Sequence, residues 1–108
     1  MEVITLDMIP KGQRPSVYVS KNDVGREIRI NLTEEGAPFT LTGAEEISLS
    51  ILKPGGETVT KAITASAGTK VDFSTSSDMT DTVGINYAKL RIDDIGSLGF
   101  YFVVEVNP

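Results

Sequence analysis

The chain of 108 residues contains no cysteine, no histidine and no tryptophan. Without cysteine there is no disulfide scaffold and no thiolate chemistry. Without cysteine and histidine together, the usual zinc and haem ligands and the His- or Cys-based catalytic devices are missing as well. Basic residues are also scarce: Lys+Arg 10 against Asp+Glu 15 gives a net charge of -5. Nucleic acids and anionic membranes are bound by neutralising phosphate with Lys and Arg, so neither is an expected partner. No stretch approaches the roughly 20 apolar residues of a membrane-spanning helix, and the first residues, Met1-Glu2-Val3-Ile4, lack the basic start of a signal peptide.

What the sequence has in excess is β-branched side chains. Thr 11, Val 10 and Ile 10 make 31 of 108 residues. Such side chains are stiff at χ1 and suit a pleated surface. They fall in alternating runs, the period-2 mark of strands with one buried face. Val17 and Val19 alternate with Ser16, Tyr18 and Ser20. Ile28, Ile30 and Leu32 share one face, as do Ile47, Leu49 and Ile51, then Val59 and Ile63, then Val71 and Phe73. Ala88, Leu90 and Ile92 oppose Tyr87, Lys89 and Arg91. Phe100, Phe102, Val104 and Val106 are expected to give the last strand its buried face. Phe39-Thr40-Leu41-Thr42 reads as a short extended piece.

Turn formers separate the runs. Pro54-Gly55-Gly56-Glu57 and Asp93-Asp94-Ile95-Gly96-Ser97 read as hairpin loops. Ser76 or Ser77 is placed to cap a single helical turn carrying Asp78 in its first turn and Met79 toward the core. Seven to eight short strands at this spacing predict an all-β, immunoglobulin-like antiparallel β-sandwich. Residues 15–108 are expected to form that single domain. Residues 1–14, with Pro10-Lys11-Gly12-Gln13-Arg14-Pro15, read as a lead-in or an arm that docks on a partner.

Reactive constellations are few. Asp72, Asp78, Asp81 and the pair Asp93-Asp94 could serve acid–base catalysis or calcium only if they converged. In predicted turns, aspartates more often bond local backbone N–H groups. A Ser-Lys dyad would draw on Ser48, Ser50, Ser74, Ser76 or Ser77, which read as strand-surface or cap residues. Tyr18, Tyr87 and Tyr101 are expected to face outward. There they cover cross-strand neighbours or, less readily, mark a sugar or protein contact. No catalytic, cofactor or metal residue is therefore assigned, and the protein is expected not to be an enzyme.

Three stretches carry a family resemblance. Gly36-Ala37-Pro38-Phe39-Thr40-Leu41-Thr42-Gly43-Ala44 matches a "G-x-P-x-x-L-T-G-A" element. Ile47-Ser48-Leu49-Ser50-Ile51-Leu52-Lys53-Pro54-Gly55-Gly56 matches a strand running into "K-P-D-G", with glycine in place of the aspartate. Gly84-Ile85-Asn86-Tyr87-Ala88-Lys89-Leu90-Arg91-Ile92 resembles "G-x-Y-x-A-E-L-x-I", and a final "F-x-F-x-V-x-V" strand follows at Phe100–Val106. In this order they resemble the N-terminal domain of the tailed-phage baseplate upper protein family, whose relatives include phage head-fibre and tail-associated proteins. The resemblance spans roughly residues 15–107. It implies a non-enzymatic virion structural protein of the baseplate, tail or head-fibre, an assembly and adaptor module near the host-recognition apparatus. Its partners would be other virion proteins or further copies of itself. The family's proteins continue beyond this domain, so the 108 residues stand as an excised domain or a stand-alone small protein. The alternative, from fold class, is a carbohydrate- or cell-surface-binding sandwich module.

Overall fold

The computed structural model describes residues 2–9, 14–93 and 96–106. Nine strands and one helical turn occur among them, in the order β1 (Glu2–Asp7), β2 (Ser16–Ser20), β3 (Glu27–Glu34), β4 (Ala37–Pro38), β5 (Glu46–Leu52), β6 (Thr58–Thr64), β7 (Lys70–Ser74), α1 (Ser77–Thr80), β8 (Gly84–Ile92) and β9 (Gly96–Glu105). They form a β-sandwich. One sheet holds β1 against β3, with β4 and β7 side by side along the other edge of β3. The second runs β2-β9-β8-β5-β6.

The alternation in the sequence sorts directly into faces. Ile28, Ile30 and Leu32 from β3 meet Val17, Val19, Leu49, Ile51, Leu90, Phe100 and Phe102 from the five-stranded sheet, all of them fully or almost fully buried. Leu41 and Met79 complete the same core. Phe39 and Phe73 are half-buried and pack against it. The Pro54–Glu57 turn joins β5 and β6 as an antiparallel hairpin, and β8 and β9 form the second hairpin. Asp94 and Ile95 of that second loop lie outside the described residues.

The buried threonines are satisfied locally. Thr75 Oγ1 donates to the Asp23 carbonyl at 3.0 Å and accepts from Arg26 N at 3.1 Å. Thr80 Oγ1 donates to the same carbonyl at 3.0 Å. These bonds tie the β2–β3 turn to α1. A buried hydroxyl without such partners would be costly.

Four expectations change. Residues 1–14 are not simply a lead-in. Residues 2–7 pair with β3 from Glu2↔Ile28 to Asp7↔Thr33 and bury Ile4 and Leu6. Pro10–Gln13 of the expected arm lie outside the described residues. Second, the sandwich is not wholly antiparallel: β1 runs parallel to β3, and β2 parallel to β9. The N-terminal segment thus borders both sheets in turn, β1 on one and β2 on the other. Third, Phe39–Thr42 forms only an isolated bridge, Leu41 to Gly68, while the short β4 precedes it. Fourth, Val106 is 71% exposed, because β9 ends at Glu105 and the inward alternation stops with it.

Candidate interaction surface

The carboxylates considered for chemistry are dispersed, and three of them are held by cations. Arg29 Nε donates to Asp72 Oδ1 at 2.9 Å and its Nη2 to Oδ2 at 3.1 Å, on neighbouring strands β3 and β7. Lys61 Nζ lies 2.6 Å from Asp78, and Lys53 Nζ donates to Asp81 at 2.8 Å. In each case the cation's hydrogen bond is the main cause holding the aspartate below its ordinary carboxylate range. A general acid needs the opposite shift. Asp93 is occupied differently, accepting from the Glu46 N–H. Asp94 lies outside the described residues. Among the described residues no three metal-ligating side chains come together.

Two of the candidate serines, Ser50 and Ser76, are engaged by neighbouring side chains. Ser50 and Thr60 share a hydrogen bond of 3.2 Å across β5 and β6. Ser76 precedes α1 as its N-cap residue, but its hydroxyl bonds the Asp78 carboxylate rather than a backbone N–H. Ser48 is set between Ala62 and Arg91 in the sheet, Ser74 ends β7 and Ser77 begins α1. The two lysines that point into the molecule, Lys53 and Lys61, both bond carboxylates that lie within or just after α1.

The motif residues explain themselves structurally. Leu41 is buried, and the next turn is closed by Glu45, whose carboxylate accepts from Thr42 N at 2.8 Å and Gly43 N at 2.9 Å. Those bonds, led by Thr42, hold Glu45 below its usual range. Gly43 has φ 98, and a Cβ there would sit 3.2 Å from Ala67 N. Lys53 opens the hairpin and reaches back to Asp81. Asp81 raises its pKa, the hydrogen bond outweighing the desolvation. These positions are held by contacts within the fold itself.

What remains distinctive is the outer face of the five-stranded sheet. The register places Tyr18, Val103 and Ile85 in one cross-strand row and Ser16, Tyr101, Tyr87, Leu52 and Thr58 in the next. Ile85 is 66% exposed, Tyr18 54% and Leu52 45%. Tyr87 and Tyr101 meet edge to face, with centroids 6.1 Å apart and planes at 68°. The Arg14 guanidinium stacks 5.2 Å from the Tyr87 centroid. Gly99 permits this packing, because any Cβ there would collide with the Tyr87 hydroxyl. Below the tyrosines the face turns polar, through Lys89, Ser50, Arg91 and Ser48.

The opposite outer face, on the four-stranded sheet, is different. It carries Thr5, Asp7, Arg29, Asn31, Lys70 and Asp72, with Val3 the one exposed large apolar residue among its described positions. A solvated sheet face is normally polar, as this one is, whereas contiguous exposed apolar residues mark contact surfaces. Sequence reading found the outward tyrosines and their cross-strand role. It missed Ile85 and Leu52, although both stand in step with outward residues of their own strands.

No protein-family model matches the chain, and no curated protein matches it. Among solved structures, the N-terminal domain of phage TP901-1 ORF48 superposes with a TM-score of 0.75 at 18% sequence identity. The match covers 96% of this chain and 97% of that one. The two share a fold from end to end. At that identity the likeness bears on fold, and it extends to β1, which the motif resemblance left out.

Two of the open hollows among the described residues flank β5, β6 and β7. One, of about 1060 Å³, lies at the β5–β6 border beside Gly43, Glu46, Ala65, Arg91 and Asp93. The other, of about 460 Å³, opens between β6 and β7 over Ile63, Phe73 and Met79, beside the Lys61–Asp78 pair. Within the second, Lys61 is already paired with Asp78 and Asp72 with Arg29.

Proposed function

We propose that the protein is a non-enzymatic structural component of a phage virion, an assembly and adaptor module of the baseplate, tail or head-fibre, placed near the host-recognition apparatus. The observation that carries this reading is the near-complete superposition on a domain of a phage protein. The motif resemblance to the baseplate upper protein family points the same way. The chemistry is compatible: Asp72, Asp78, Asp81, Lys53 and Lys61 are engaged in ion pairs within the fold, and the exposed apolar face of the five-stranded sheet is suited to a protein neighbour. A sugar-binding role would draw on a platform of free tyrosines. Here Tyr87 and Tyr101 pack on each other and Arg14 covers Tyr87, which favours the structural role.

The test is direct. Particles purified from the phage that encodes the chain, washed in high salt and digested for mass spectrometry, are expected to contain it at a fixed ratio to the other tail or head proteins. Its absence from intact particles overturns the assignment.

A further inference from the structure

A sandwich has exposed sheet edges, and natural proteins guard such edges with charge. Three of the edge strands here are guarded. β1 carries carboxylates at both ends, Glu2 and Asp7. β6 has Lys61 at its centre, and β7 has Asp72 at its centre. Pairing either of the last two antiparallel with a second copy about its central residue would set Lys61 on Lys61 or Asp72 on Asp72, a destabilising arrangement.

β4 is only two residues and holds Pro38, itself a guard against pairing, so β2 is the exception. Its sequence, Ser16-Val17-Tyr18-Val19-Ser20, contains no charge and reads the same in both directions. Among the described residues its one paired neighbour is β9. In a parallel pair alternate residues bond the neighbouring strand. Pro15 O accepts from Tyr101 N at 2.9 Å and Lys21 N donates to Glu105 O at 2.8 Å, so the odd-numbered residues face β9. Ser16, Tyr18 and Ser20 therefore turn their backbone groups to the open edge. Among the described residues one of these is engaged, the Ser20 carbonyl, which accepts from Asp23 N at 3.1 Å and retains a second lone pair. Arg26, beside this edge, is compensated by Glu2 at 3.2 Å and Asp23 at 3.3 Å.

We infer that β2 pairs antiparallel with β2 of a second copy across a two-fold axis at Tyr18, joining two five-stranded sheets into one. The palindrome then matches every position with its like. Tyr18 faces Tyr18, Ser16 faces Ser20 of the second copy, and Val17 faces Val19. The open groups of Tyr18 exchange a reciprocal pair of hydrogen bonds. Both valines already point into the core, at 0% and 4% exposure, so the inward side of each strand is packed before association. On the outer side the two apolar rows become neighbours through Tyr18. Such an interface is isologous and closes at two copies. It does not depend on virion membership, so the two proposals fail separately.

The experiment uses the full chain and its lack of cysteine. Sedimentation equilibrium is expected to show twice the chain mass. Tyr18→Cys places a unique thiol at the axis and is expected to give a covalent dimer on oxidation. Thr60→Cys, on guarded β6, is expected to stay uncoupled under the same conditions. Tyr18→Lys sets lysine on lysine and is expected to weaken association at least about tenfold, with its strand-rich circular dichroism retained. A wild-type chain that stays monomeric to about 1 mM, equal coupling through Thr60→Cys, or a folded Tyr18→Lys variant that associates as tightly as wild type each overturns the inference.

Discussion

At the scale of a residue, Asp7 shows how much one carboxylate can organise. Its Oδ1 accepts from Ile9 N at 2.8 Å and Glu35 N at 3.1 Å, and its Oδ2 from Gly36 N at 2.9 Å and Thr33 Oγ1 at 2.8 Å. The Glu35-Gly36 turn needs that support, since both residues adopt positive φ, 49 and 85. The four bonds, led by Gly36, hold Asp7 far below the usual carboxylate range. A depressed folded-state pKa means the stabilisation is fully present above the unfolded value of about 4 and fades as pH falls toward the folded one. In Asp7→Asn the amide nitrogen would replace one acceptor and confront an N–H donor. That variant is expected to melt roughly 5 °C lower at pH 7, with the gap to wild type narrowing below about pH 4. An equal gap at pH 7 and pH 3 in thermal melts would contradict the role given to the charge. None of this was legible in the sequence, because Asp7 lies more than 20 residues from the turn it closes. Asn86 was equally hidden. Alternation places it inward, yet nothing local indicates that its buried Oδ1 finds no partner among the described residues while Nδ2 donates to Gly84 O at 3.2 Å.

At the scale of the element, alternation made the β-sandwich legible, because the inner strands of the five-stranded sheet bury one face and solvate the other, and edge strand β6 half-buries its inward residues. It also located α1, since Ser76, Asp78 and Met79 carry the local signals of a single turn. What it could not supply was the pairing of strands far apart in sequence. The parallel partners β1/β3 and β2/β9 meet across 26 and 85 residues of sequence, as Glu2↔Ile28 and Ser16↔Tyr101 show, and no local pattern encodes so distant a register. β1 was undervalued for a different reason. Ile4 and Leu6 alternate with Val3 and Thr5, but the proline and glycine that follow made the whole segment read as a lead-in. The distinction is measurable. Leu6 is 4% exposed in the core, so Leu6→Ala is expected to cost about 3 kcal/mol by the usual transfer and cavity terms. Denaturant titration reads this directly, and an unchanged midpoint would return residues 2–7 to the status of a dispensable arm.

At the scale of the whole molecule, the two outer faces divide the labour. The four-stranded sheet presents paired charge, with Arg29 and Asp72 joined across β3 and β7, and is at ease in water. The five-stranded sheet presents Tyr18, Ile85, Tyr101 and Leu52, whose exposure contributes nothing to the sandwich core. If the protein is a virion module, that apolar area is where a neighbouring virion protein would gain most from excluding water. Replacing Ile85 and Leu52 together by threonine keeps β-branched or strand-compatible side chains and alters only the solvent side. The double variant is therefore expected to melt within about 3 °C of wild type, while its recovery in assembled particles falls severalfold. Val3→Thr makes the equivalent change on the other sheet and is expected to leave recovery unchanged. Wild-type recovery of the Ile85/Leu52 variant would remove this face from the assembly contact. A loss shared by Val3→Thr would show that general surface change, not this face, governs incorporation.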